Sequence, residues 1–151
     1  MKVLEIVNKA KGKIDEKFLD KISLIVLRSA RFIKKNAKIS LVFVSNSEIK
    51  KINKKYRNKD KATDVLSFPF FDLKNKKEVI NEVSPFYLGE IFISYDKAKT
   101  QAKQFGFSLK REISRLLIHG ILHLLGYDHY KKEERKKMEN LESNIMKKIL
   151  S

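Results

Sequence analysis

His119-Gly120-Ile121-Leu122-His123-Leu124-Leu125-Gly126-Tyr127-Asp128-His129 holds all three histidines of the chain. His119 and His123 are four residues apart in a helical context, so they share one helix face about one turn apart. Gly126 offers the left-handed conformation that ends a helix cheaply. The chain turns back there, and His129 can supply a third imidazole from outside the helix. Three neutral imidazoles suit one zinc ion per chain, at Zn–N distances of about 2.0–2.1 Å, with a fourth position left for water. An open position marks a catalytic rather than a structural site. The plain alternative is a set of hydrogen-bonded core histidines. It must explain imidazoles in a run, Leu116-Leu117-Ile118 to Leu124-Leu125, that is apolar nearly all round and so predicts a buried helix.

The pattern also invites a peptidase reading. The long zincin signature H-E-x-x-H-x-x-G-x-x-H uses its Glu as general base. This chain has the three His and the Gly at the same offsets, with Gly120 in the Glu position. A glycine cannot take a proton from water, so the metal geometry is kept and the peptidase base is missing.

Working outward, 151 residues predict one domain spanning 1–151, and 42% apolar residues suffice for one core. There is no Cys, which excludes a disulfide partner, a thiolate metal site and a cysteine nucleophile. The N-terminus has no long apolar signal core, and no stretch approaches the ~20 apolar residues of a membrane span. The expectation is a cytoplasmic chain with no membrane partner. The formal net charge of +16 points to polyanions. Its dominance by Lys, in a chain rich in Ile and Asn, also fits drift in an AT-biased genome.

Val3 to Val7 reads as a first strand, and the stripe Phe18, Leu19, Ile22, Leu24, Ile25, Leu27, Phe32 predicts a helix from Asp15 to about Lys35. Lys38 to Val44 is a second strand. Ser45-x-x-Glu48 is a capping-box pattern opening a helix to about Lys55. Asp64 to Phe68 is a third strand, ended or placed at an edge by Pro69. Residues 72–86 are a polar surface loop, and Tyr87 to Ser94 is a fourth strand, pairing with the third as a hairpin. A helix follows from Asp96 to Phe105, ended by Gly106. Ser108 caps the histidine helix. Lys132 to Ile149 forms the last helix, with Met138, Leu141, Ile145 and Ile149 on one stripe. The fold class is α+β: one domain, with a small mixed sheet of about four strands packed with about five helices.

Three segments together, Arg57, Thr63-Asp64-Val65-Leu66-Ser67-Phe68-Pro69 with Leu88-Gly89-Glu90-Ile91, and the histidine stretch, resemble the YbeY family in order and spacing over nearly the whole chain. One departure is Glu90, where the family more often has Asp; the charge is kept. The resemblance implies a metal-dependent, single-strand-preferring endoribonuclease with a four-stranded mixed sheet. It implies a role in ribosomal RNA maturation, at the 3′ end of small-subunit rRNA, and in ribosome quality control, with the small subunit as partner. It implies zinc on His119, His123 and His129, and a functional arginine at Arg57.

The residue chemistry agrees. Phosphodiester cleavage needs positive charge near the phosphate oxygens as the transition state forms, and a guanidinium grips phosphate with two parallel hydrogen bonds. Arg57 and His119 are therefore the expected catalytic residues, His119 also being a ligand. The alternative for Arg57 is a surface ion pair with Asp60. Asp128 either orients a ligand imidazole, acts as a base, or caps the last helix. Asp64 and Glu90 either line the cleft or end and edge strands. Phe68, Phe70, Phe71 and Tyr87 are either base-stacking or core aromatics. Two other function classes stay open: a ribosome-assembly, RNA-binding factor with structural zinc, and a zincin-like metallohydrolase of a non-nucleic substrate.

Overall fold

The computed structural model describes residues 2–32, 36–72 and 85–150. In chain order it contains β1 (Leu4–Asn8), α1 (Glu16–Ser29), β2 (Ala37–Val44), α2 (Asn46–Arg57), β3 (Val65–Pro69), β4 (Phe86–Ser94), α3 (Tyr95–Phe105), α4 (Leu109–Leu124) and α5 (Lys132–Leu150). The sheet order is β1-β2-β4-β3. β1 and β4 each pair with β2 in parallel, and β3 pairs antiparallel with β4. The mixed four-stranded sheet and five helices are those expected, and the hairpin across residues 64–94 is present. β3 is an edge strand, as Pro69 requires.

Alternation along the strands divides the chain between two layers. Ile39, Leu41 and Phe43 of β2 enter the main core with Ile91 and Ile93 of β4, beneath α1 and α4. Val42 and Val44 face the other way and join Ile49 of α2 and Leu66 of β3 in a smaller cluster. β2 is consequently buried along most of its length, the pattern of a strand covered on both faces. α4 lies at the centre of the first layer, packed on β3, β4, α1, α3 and α5. Ser108 caps it by accepting from Arg111 N–H at 3.1 Å, and Leu116, Leu117, Ile118, Ile121 and Leu122 are buried. The histidine helix is thus the most deeply packed of the five, as its apolar run predicts.

Four helices close on a left-handed residue: Arg31, Asn58, Gly106 and Gly126. At Arg31, Gly106 and Gly126 the next N–H reaches back five residues, for example Phe32 to Leu27 O (2.8 Å) and Tyr127 to Leu122 O (3.0 Å), the Schellman arrangement; after Asn58 it reaches back six, from Lys59 to Asn53 O (3.3 Å). This corrects the first helix. Its apolar stripe runs to Phe32, but the helix stops at Ser29, because Phe32 is the apolar residue after the turn and packs on Phe86 at 6.3 Å between ring centroids. Residues 33–35, to which that helix was expected to run, lie outside the described residues, as does most of the expected loop 72–86.

Candidate metal centre

The end of α4 assembles the histidines. His119 and His123 project from one face, and their Nε2 atoms are 3.1 Å apart. Gly126 has φ of 96°, a conformation that costs a side-chain-bearing residue, and it redirects the chain. His129 returns so that its ring centroid lies 5.9 Å from His119 and 5.1 Å from His123. One ring nitrogen from each of the three lies within 4.8 Å of the others. Three convergent imidazole nitrogens make a donor set that fits a metal ion such as zinc. His123 is pushed down to about 4, first by burial and then by the neighbouring His119 and His129. Its lone pair is therefore available at neutral pH without competition from a proton.

These imidazoles open into a cleft of about 410 Å³ whose other walls are Arg57, Asp64, Ser67, Asp128 and Tyr130. Arg57 reaches it from the end of α2. Its Nη2 donates to Ser67 O at 2.8 Å, and the guanidinium stands 5.4 Å over the Phe68 ring. The proposed ion pair with Asp60 is not formed; Asp60 lies 3.9 Å from both Lys50 and Lys54. Arg57 is thereby aimed along β3 toward the cleft, where it stays exposed to solvent.

The other sequence candidates separate. Asp64 lines the cleft, with Oδ1 accepting from Val65 N–H at 2.8 Å and Oδ2 facing Arg115 at 3.8 Å. Glu90 does not line it. It accepts from Ser40 Oγ at 3.1 Å, one residue from Ile91, whose side chain meets α4 on the opposite face. Asp128 lines the cleft. Its Oδ1 accepts from Tyr130 N–H at 3.2 Å, a turn that shapes the return to His129 before α5 begins at Lys132. Phe68 packs edge-on against Tyr56 and Phe92. Phe71 stacks on Phe86, Tyr87 donates to Glu5, and Phe70 alone of the four is largely exposed.

Gly120, in the zincin glutamate position, is buried with its Cα facing the sheet. A Cβ there would lie 3.1 Å from two Ile91 carbons and 3.2 Å from Ser67 Oγ. Ser67 Oγ also donates to Gly120 O at 3.2 Å. The missing base thus has a steric reason: the helix meets β3 and β4 at this residue.

The family model described as Endoribonuclease YbeY matches residues 5–150. The chain belongs to the YbeY family. Proteins named Endoribonuclease YbeY from Clostridium botulinum (strain Loch Maree) and Caldicellulosiruptor saccharolyticus are similar at 43% and 41% identity. The first alignment covers 91% of each chain, the second 97% of this chain and 96% of the relative. A Thermotoga maritima protein solved in solution has a similar fold, with TM-score 0.64 and 26% identity over 97% of this chain and 89% of its own.

Several residues around this YbeY-family centre carry no spacing signal in the sequence. Glu112 is buried, gripping Arg115 through two 2.8 Å hydrogen bonds and accepting from Gln101 at 2.5 Å. That grip raises the Arg115 guanidinium further above its ordinary range. Glu142, on α5, lies 3.3 Å from His119 Nδ1. Tyr130 stacks on His129 at 4.9 Å and is 81% exposed at the cleft mouth. Only Tyr130, adjacent to a ligand candidate, could have been found from sequence.

Proposed function

We propose that this chain is a zinc-dependent endoribonuclease that prefers single-stranded RNA, acting in the cytoplasm on ribosomal RNA at the 3′ end of the small-subunit species and in ribosome quality control. The observation that carries the reading is the sharing of one cleft by a three-histidine donor set and the Arg57 guanidinium. His119, His123 and His129 would hold the ion, which supplies Lewis acidity and lowers the pKa of bound water toward about 7. Arg57 binds and orients the scissile phosphate, its fork fixed by Ser67 O and Phe68. Asp64, facing Arg115, supplies negative charge on the β3 wall. The net charge of +16 favours a polyanionic strand over a peptide, and the buried Gly120 leaves no zincin base. Among the described residues no helix is long and apolar enough to cross a membrane.

The test is cleavage by purified chain, metal-stripped and zinc-loaded, on single-stranded RNA, duplex RNA and casein. Zinc-dependent cleavage of single-stranded RNA is expected, with binding that weakens steeply as salt rises because lysine contacts release counterions. Tight RNA binding without cleavage would instead identify an assembly factor with structural zinc. Chelator-sensitive casein cleavage would restore the peptidase reading.

A further inference from the structure

We infer that Glu142 is a positioning residue for the metal centre: its carboxylate, on α5, holds His119 in the tautomer that presents Nε2 to the ion. The inference rests on the zinc reading above.

His119 is engaged at both ring nitrogens. Nε2 lies 3.1 Å from Nε2 of His123, on the side where the three imidazoles converge. Nδ1 lies 3.3 Å from Glu142 Oε1, on the opposite side. A neutral imidazole carries one proton, and the nitrogen that keeps it cannot bind metal. A carboxylate only accepts, so it favours the proton on Nδ1. That leaves the lone pair on Nε2, where the donor set needs it. A carboxylate behind a ligand imidazole also makes it a more basic donor.

The arrangement is built rather than incidental. The two side chains are 27% and 22% exposed, so the contact is largely shielded from water. Glu142 stands between Met138 and Ile145, both fully buried, which anchor α5 in the core. The position of its backbone on α5 is therefore set by helix packing. The charge of Glu142 also reaches Arg115, whose guanidinium it helps keep protonated. The consequence is that docking of α5, remote in sequence from the ligands, contributes to metal affinity.

The experiment is zinc competition against a chromogenic chelator at pH 7.5, with the parent chain, Glu142→Gln, Glu142→Ala and, as control, Glu139→Gln on the exposed side of the same helix. Melting temperatures of the metal-free chains are measured on the same preparations. Loss of an outer-shell carboxylate is expected to weaken zinc binding by about 10–100-fold in Glu142→Ala. Glu142→Gln, whose amide oxygen still accepts from Nδ1–H, should fall between it and the parent. Glu139→Gln should match the parent. In the zinc-loaded parent, nitrogen NMR should show the His119 Nδ1 proton protected, and in Glu142→Ala that proton should exchange rapidly. Should Glu142→Ala fail to fold, the Gln variant and its Nδ1 proton decide. Affinities within two-fold of the parent for every folded variant, with the parent binding zinc, would overturn the inference alone. A parent that takes up no zinc would overturn the zinc reading with it.

Discussion

Replacing Gly120 tests the packing account of the site directly. In a helix interior Gly→Ala is ordinarily favourable by about 1 kcal/mol. Here the new methyl would lie 3.1 Å from Ile91 Cδ1 and Cγ2 and 3.2 Å from Ser67 Oγ. Ile91 is wholly buried within the sheet, and Ser67 Oγ is committed to the Gly120 carbonyl, so neither can step aside freely. Overpacking of a well-filled core costs about 1–3 kcal/mol. The steric term should win, for a net loss of about 1 kcal/mol, or about 2–4 °C in melting temperature for a domain of this length. The histidine side chains are on another face, so zinc content should be unchanged. Gly120→Glu, which completes the zincin signature, adds a charge and, beyond the alanine methyl, a carboxymethyl group at the same buried interface. It should cost upwards of about 4 kcal/mol, since a buried charge without a partner belongs among the most destabilising changes. Urea denaturation of the metal-free chains, with zinc stoichiometry and casein and RNA cleavage on the loaded ones, makes the measurement. A Gly120→Ala chain as stable as the parent, or more stable, refutes the steric argument. A folded Gly120→Glu chain that cleaves casein refutes the reading of why no peptidase base is present.

The remaining expectations concern the ligands, the arginine and pH. His123→Ala should lose most of its zinc by elemental analysis, and equal metal content in parent and variant would remove the three-histidine assignment. Arg57→Lys should keep zinc and melting temperature while single-turnover RNA cleavage falls about 10²–10³-fold, as for loss of one preorganised electrostatic contact; parent-like cleavage would place Arg57 outside the chemistry, and parallel loss of zinc and stability would make it structural. Because His123 is held down to about 4 in the folded chain against 6.5 ordinarily, its contribution to metal-free stability is complete above about pH 6.5 and is lost as pH falls toward 4, where the unfolded chain binds the extra proton. The fall in melting temperature across that window should shrink in His123→Gln, and an identical slope in the two chains would contradict it.

Local signals in this chain were legible wherever one residue's chemistry sufficed. Ser45 and Ser108 cap helices as their positions predict, Gly106 and Gly126 end them, and Pro69 lies on an edge strand. The turn at Arg31 was not legible, because there the left-handed conformation is imposed by packing after the turn and not offered by a glycine; α2 likewise ends on a left-handed residue that is not glycine, Asn58. Phe32 shows how: burying it against Phe86 outweighs the cost of a positive φ at Arg31, and an apolar stripe cannot say on which side of a turn its last member falls. The strand order was not legible either. Parallel pairing of β2 with both β1 and β4 depends on which elements α1 and α4 cover, a property of the whole layer.

The site divides along the same line. Its ligand candidates lie within eleven consecutive residues, so spacing reveals them; its supports come from three other elements. Glu142 reaches His119 from α5, Ser67 sets Arg57 from β3, and Gln101 of α3 steadies Glu112 and, through it, Arg115. No periodicity links such residues, since each is held by burial of its own helix or strand and meets the others only when the layers close. Glu90 is the converse case. Its place beside the motif segments suggested the cleft, yet in a strand neighbouring residues face opposite ways. With Ile91 committed to the core beneath Gly120, Glu90 has to point to the other face of the sheet.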